Sequence, residues 1–429
     1  MVNQFVLEAI RKKLIGKRLT AREIYAIMDE IAHNRLEPIF TTSFAAAGLS
    51  HGFSEEELYY LTKSMVETGD KIKFTGIVAD KHSTGGVAGT RTTMILVPII
   101  AACGIKIPKA SSRAITSPSG TADTMEVLAP VTFTVLKIKK IVEKVGGCIV
   151  WAGGLNLAPA DDILIQIERP LSFESFDKII VSILAKKIAC GATHVVIDIP
   201  VGPTMKIQHY QDAEVIGKKF LNLARRFKLK MALDINYTAE PAGNGLGPIL
   251  ETRDVLRVLE QKRNRPLALE KKALRLSGKL IDLCLTDRKK SVGQDKKLRS
   301  LYQEFNEEGE DLASKILTSG KALEKMREII KAQGGDPEVT SEKLELGNKL
   351  FEVLSETSGK VISLDNKALN SICRILGAPE DKKAGIYLSK KIGDSVSKKE
   401  VLYIMYSSDG WRLSEAKETL KGMKIYKVE

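Results

Sequence analysis

The spacing of apolar residues changes along the chain. Over residues 1–66 it is helical: Ile24, Ile27, Met28 and Ile31 form one stripe, and Leu58, Leu61 and Met65 another. Thr20 with Glu23, and Ser54 with Glu57, stand where capping boxes would open these helices, so the stretch predicts an all-helical domain. From Lys71 onward short β-rich runs alternate with helical ones. Val195 to Ile199 and Met231 to Ile235 read as buried strands joined by the amphipathic helix Ala213 to Phe227, which predicts an α/β domain with a mixed or parallel sheet covered by helices. Pro170 to Lys187 is again helical. Near the end, Gly359 to Leu364, Lys391 to Val396 and Val401 to Met405 alternate as hairpin strands would, with a Gly-Asp turn.

Two polar loops interrupt this pattern. Asp80-Lys81-His82-Ser83-Thr84-Gly85-Gly86, with Thr92 and Thr93 beyond it, leads into the apolar run Met94 to Cys103, the expected body of a helix. A lysine, hydroxyls and a glycine turn before a helix N-terminus suit an anion held without a metal, because backbone N–H groups point at it and Lys81 adds a full charge. Pro108 to Thr121 forms a second hydroxyl-rich loop, between the strand-like run Ile105 to Pro108 and another helical start. Loops that leave neighbouring strands of an α/β sheet converge where ligands bind. No Walker pattern is present, and Gly243-Asn244-Gly245-Leu246-Gly247 lacks dinucleotide spacing and reads as a backbone turn.

Composition narrows the classes further. The 429 residues suggest two or three domains, 44% of them are hydrophobic, and no run approaches the roughly 20 apolar residues of a membrane span. Met1 to Phe5 has no apolar signal core, so a cytoplasmic protein is expected. The five cysteines are widely spaced and lack metal-site patterning, which predicts buried thiols and no metal. The net charge of +13 lies largely between Lys262 and Arg299, where lysines and arginines interleave with leucines. That stretch reads as a solvated helix face. Without interleaved aromatic residues it does not read as a nucleic-acid surface, and nucleic acid is not an expected partner.

Lys81 to Gly86, Ser112-Arg113-Ala114-Ile115-Thr116-Ser117 and Gly120-Thr121-Ala122-Asp123 together resemble the signature of the thymidine and pyrimidine-nucleoside phosphorylases. Ala114 to Pro118 brings the match closest to the AMP phosphorylase branch, since the thymidine branch carries more glycine and a histidine there. The likeness continues through Val150 to Asp162 and Ser182 to Lys187 and covers nearly the whole chain. It implies a helical domain built from residues 1–66 and a return segment, 156–190. It also implies an α/β domain from 67–155 and 191–344, and a hammerhead-like α/β unit at 345–429. Hinges would lie near 67–80 and 155–190, with the active site in the cleft between helices and sheet. Relative to archaeal AMP phosphorylases the chain starts directly at the helical domain, and a homodimer is expected.

By the same resemblance, Lys81, Ser83, Thr93, Ser111 and Thr121 would bind phosphate. Gly86, the run Ser112, Arg113, Ala114, Ile115, Thr116 and Ser117, and Ser182, Lys186 and Lys206 would contact the nucleotide. His82 would donate a hydrogen bond to the leaving base, a task suited to an imidazole titrating near neutrality. Glu174 stands where AMP phosphorylases carry the aspartate that protonates the purine. An arginine expected ahead of Ser182 in the thymidine branch is replaced by Gln166, Ile167 and Glu168. The implied reaction is phosphorolysis of a nucleoside 5′-monophosphate, AMP foremost and CMP or UMP as variants, to free base and ribose 1,5-bisphosphate. Inorganic phosphate is the co-substrate and no cofactor is expected. The alternatives are a thymidine or pyrimidine-nucleoside phosphorylase, an anthranilate-type phosphoribosyltransferase, and, from a different class, a non-catalytic nucleic-acid-binding protein.

Overall fold

A computed structural model describes residues 3–85, 87–114, 117–171, 175–286, 300, 303–304 and 308–429. Four helices open the chain: α1 (Gln4–Leu14), α2 (Ala21–Ala32), α3 (Pro38–His51) and α4 (Glu55–Glu67). Both capping boxes form, and the Thr20 and Ser54 hydroxyls each accept from the backbone of their glutamate, 3.3 Å away. Buried Lys13 and Glu57 tie α1 to α4 across 3.0 Å.

Two later helices, α8 (Pro159–Leu171) and α9 (Phe176–Ala189), pack on these four. Leu164, Ile180 and Leu184 share one apolar core with Ile24, Ile27, Met28 and Leu61. The same core takes Val195, Ile197, Ile199 and Val201 from one face of a strand, whereas Val196, on the opposite face, enters the core of the α/β part. The two-residue period of the strand thus welds the helical bundle to the sheet.

The sheet of the α/β part comprises β1 (Ala79–Ser83), β2 (Ile107–Ser111), β3 (Gly147–Trp151), β4 (His194–Val201) and β5 (Lys230–Tyr237). All of its described pairings are parallel, which narrows the mixed or parallel sheet expected. The ladders β2-β3 and β1-β4-β5 meet at the bridge Val78↔Lys106, giving the order β3-β2-β1-β4-β5. Chain direction across the sheet reverses between β1 and β4, the place where an open α/β sheet leaves a crevice at its carboxyl ends. Helix α5 (Thr92–Ala102) crosses from β1 to β2, α10 (Tyr210–Arg226) from β4 to β5, and α12 (Leu267–Thr286) lies against β4 and β5.

The C-terminal part departs from the expected hairpins. Strand β10 (Ser395–Val396) pairs with β8 (Gly359–Leu364), while β11 (Val401–Ser407) pairs with β7 (Lys349–Leu354) and β9 (Gly385–Leu388). Consecutive strands therefore enter different sheets, although Val396 of β10 and Leu402, Tyr403 and Met405 of β11 share one core with Val361. The Gly243–Gly247 turn contributes strand β6 (Gly245–Leu246), which joins the C-terminal sheet through β9.

Candidate active site

A cleft of about 200 Å³ opens at the carboxyl ends of β1, β2 and β4, spanning the reversal in strand order. Lys81, Ser83, Thr93, Ser111 and Thr121, the five expected phosphate positions, all line it, together with His82, Ser112, Arg113, Ser117 and Lys206. Gly86, Ile115, Thr116 and Glu174 lie outside the described residues. Ala114 donates its backbone N–H to Asp123, 2.7 Å away. A separate apolar cavity of about 30 Å³ among Phe44, Phe53, Leu61 and Leu164 has room for no more than a water-sized group.

Local geometry explains both loops. Gly85 has φ of +88°, a left-handed conformation that favours glycine, and lets the chain turn from β1 toward α5. In the second loop, Asp123 accepts from Ala114 N at 2.7 Å and from Gly120 N at 2.8 Å, tying these two positions together. A Cβ at Gly120 would fall 2.5 Å from the Ser112 carbonyl oxygen, so only glycine permits that approach. Arg91 joins the two loops: its guanidinium contacts Glu251 and donates to Ser119 O at 2.7 Å and Thr121 Oγ1 at 3.4 Å.

Beneath the loops lies a buried charge cluster. Alternation along β1 sends Asp80 and His82 toward α9 and Lys81 and Ser83 toward α5 and α12. Asp80 meets Lys187 of α9 at 2.7 Å and Lys109 of β2 at 3.2 Å. Lys81 reaches Thr92 Oγ1 at 3.2 Å and Asp198 of β4 at 3.5 Å, and Asp198 also holds Lys272 of α12 at 3.3 Å. Lys109 further donates to the carbonyl of Lys81 at 2.9 Å, filling the gap where β1 and β2 diverge beyond their bridge. Two carboxylates thus face four lysine side chains.

The imbalance shows in the ionisation of each group. Burial alone would raise Asp80 and Asp198, but the lysines outweigh it: Asp80 lies below its usual range and Asp198 falls to about 2. Burial lowers Lys81 despite Asp198, and Lys272 and Arg91 lower it further. Of the two lysines on Asp80, Lys187 is raised and keeps its proton. Lys109 is lowered to about 7, by burial and then by the nearby Lys187, against the pull of Asp80. Burial, followed by Lys187, Lys109, Lys81 and Lys186, drives His82 well below 6.5. It is therefore a neutral imidazole at physiological pH, not one titrating near neutrality.

Sequence reasoning missed Lys109, Asp198, Lys272 and Arg91. The basic stretch is only partly a solvated face, because Lys272, Arg275 and Lys279 turn toward Asp198 and Asp234 at the strand ends. A signal existed: Val-Val-Ile-Asp-Ile and Met-Ala-Leu-Asp-Ile each place an aspartate within an apolar strand, and Asp198 and Asp234 are register partners. A buried carboxylate calls for cations.

The remaining expected nucleotide contacts are engaged elsewhere. Ser182 donates to Asp161 at 2.7 Å, and Lys186 bridges Asp161 and Asp162 at 2.9 and 3.0 Å. Neither lines the cleft, although Lys186 is close enough to influence His82. Arg113 forks onto Glu126 at 2.7 and 2.8 Å, reaches Asp123 at 3.1 Å and lies over Trp151. Its hydrogen bonds hold Glu126 down to about 2. Among the described residues no three metal-ligating groups cluster, and the Glu251 carboxylate meets Arg91.

A helical bundle docked on a parallel sheet, with a cationic cleft at the strand reversal, defines a protein built to hold an anion at its strand ends. Family models identify the class: residues 7–69 match the helical bundle domain and residues 75–323 the a/b domain of a glycosyl transferase family, and residues 360–426 match the pyrimidine nucleoside phosphorylase C-terminal domain. The chain belongs to this glycosyl transferase family and is a pentosyltransferase of the phosphorylase type.

Among curated relatives, an AMP phosphorylase of Thermofilum pendens is 43% identical over 97% of this chain and 77% of its own length. AMP phosphorylase 1 of Archaeoglobus fulgidus is 41% identical over 96% of this chain and 78% of its own. In fold, an anthranilate phosphoribosyltransferase of Thermus thermophilus superposes with a TM-score of 0.55 at 17% identity, covering 76% of this chain and 99% of that one. No helix among the described residues is long and apolar enough to cross a membrane.

Proposed function

We propose that the protein cleaves the N-glycosidic bond of a nucleoside 5′-monophosphate, AMP foremost, with inorganic phosphate. An oxygen of phosphate bonds to C1′ as the C1′–N bond breaks, its electron pair leaves with the base, and a proton completes the free base. The other product is ribose 1,5-bisphosphate. The observation that carries this reading is the cluster of Lys81, Lys109, Lys187 and Lys272 over only Asp80 and Asp198, whose excess positive charge suits a dianion. Such preorganised charge stabilises a phosphate nucleophile without reorganisation during the reaction.

In this reading Lys81, Ser83, Thr93, Ser111 and Thr121 hold phosphate, and the neutral His82 donates an N–H to the departing base. Lys206, which lines the cleft, would meet the 5′-phosphate, while Arg113 braces Glu126 and Asp123. The AMP phosphorylase relatives favour a nucleotide substrate. The C-terminal match favours a second reading, a pyrimidine-nucleoside substrate at the same phosphate site. We further take the protein to act in the cytoplasm as a homodimer, with phosphate as co-substrate and no cofactor.

Phosphate-dependent release of base from AMP, CMP, UMP, adenosine, uridine and thymidine tests the proposal. Release from AMP in preference to adenosine is expected. Release from thymidine but not from AMP would establish the second reading instead.

A further inference from the structure

The C-terminal domain reaches the cleft through two relays. Ala88, from the turn that follows the phosphate loop, is fully buried in the C-terminal core beside Leu246, Leu369 and Ile386. The neighbouring residues Gly89 and Thr90 are held by the 241–243 turn: Gly243 N donates to Gly89 O at 2.8 Å and Ala242 N to Thr90 Oγ1 at 3.1 Å. Lys391 of the C-terminal domain closes that turn from behind, donating to Gly243 O at 2.9 Å and also to Pro241 O. Thr90 and Arg91 line the cleft.

The second relay serves the opposite wall. Asn366, at the start of the C-terminal helix Asn366–Ile375, is 1% exposed. Its amide donates to Thr204 Oγ1 at 2.7 Å and to Ala239 O at 3.0 Å. Thr204 lies two residues before Lys206, which lines the cleft, and Ala239 follows the end of β5. One side chain therefore fixes two strand-end loops. Loop position governs catalysis steeply, since displacements near 1 Å can cost about 100-fold in rate.

We infer that the C-terminal domain supports the active site from behind its walls, with Lys391 positioning the phosphate loop through the 241–243 turn and Asn366 positioning Lys206 through Thr204. The kinetic consequence rests on the proposed phosphorolysis. The two relays predict separate effects. Lys391→Met should raise the KM for phosphate by about tenfold while leaving the KM for nucleotide within about twofold, and Lys391→Arg should restore it. Asn366→Ala should do the reverse, raising the KM for nucleotide by about fivefold and sparing phosphate.

Hydrogen exchange on the full-length chain gives a second measurement that needs no turnover. Lys391→Met should accelerate exchange in residues 84–91, and Asn366→Ala in residues 202–207. Equal changes in both KM values, or faster exchange confined to residues 345–429, would show purely structural roles and overturn the inference. If the wild-type protein released no base from any nucleotide or nucleoside, the phosphorolysis reading would fail. The exchange pattern would still decide whether Lys391 and Asn366 hold these loops.

Discussion

Two buried polar clusters flank the junction of bundle and sheet, and their charges balance differently. Around β1, Asp80 and Asp198 face Lys81, Lys109, Lys187 and Lys272. Around α8 and α9, Asp161, Asp162 and Glu168 face Lys178 and Lys186. The first has cations to spare and opens into the cleft. The second has one carboxylate more than its lysines, with both carboxylates of the Asp161-Asp162 pair on one lysine. In the proposed reaction the phosphate side would be built before its ligand arrives, whereas a nucleotide that reached Lys186, outside the cleft lining, would have to compete with the protein's own carboxylates for it.

The largest test of that contrast removes a cation from the overcharged cluster. Lys81→Met should lower kcat/KM for phosphorolysis by about 10³-fold, the scale of losing one preorganised charged donor. The loss should appear in both kcat and the KM for phosphate, and the fold should survive because Asp198 keeps Lys272 and Asn236. A loss under about tenfold would mean that the excess charge is incidental. The converse change, Asp80→Asn, strands Lys109 and Lys187 in the interior. It should reduce unfolding free energy by roughly 3–5 kcal/mol, read by chemical denaturation. A smaller loss would show that the lysines shed their protons readily.

How much of this was readable beforehand follows from the range of each signal. The two loops are local: hydroxyls, glycines and Lys81 stand within a few residues of one another, and the capping boxes of α2 and α4 are local too. The charge cluster is not. Lys109 and Lys187 meet Asp80 from 29 and 107 residues away, and only the bridging of β2 to β1 and the docking of α9 bring them together. For the same reason Lys272, on a helix that periodicity alone made a solvated surface, proves to be buried against a strand end. The C-terminal strands misled differently. Alternation identifies a strand but not its partner, and β10 and β11 joined different sheets despite a short connection.

A subtler test concerns protonation. Burial and Lys187 lower Lys109 to about 7, so before phosphate binds it should carry less than a full proton at a pH of about 8, where phosphate is essentially a dianion. A bound dianion raises the lysine again, so binding should take up close to one proton. Calorimetric titration with phosphate in two buffers of different ionisation heat measures that number. The uptake should vanish in Lys109→Met. No uptake by the wild type would show that Lys109 is already charged, and the excess of cations over carboxylates would then be complete without ligand. Lys186 offers the contrast: its carboxylates overcome burial and raise it, so nucleotide binding there should move no proton.

The smallest effect is expected at Asp162, whose side chain is 28% exposed and which shares Lys186 with the fully buried Asp161. Asp162→Asn removes one of two competitors for that ammonium while leaving the buried one in place. A partly exposed ion pair contributes only about 0.2–1 kcal/mol, so the KM for nucleotide should fall by about two- to threefold with kcat little changed. The direction matters more than the size. A fall means that the protein's own carboxylates hold Lys186 back from the ligand, which makes this a carboxylate-held cluster that binding must open. A rise means that Asp162 itself contributes to binding, and the contrast with the phosphate side would then lie in charge sign alone, not in readiness.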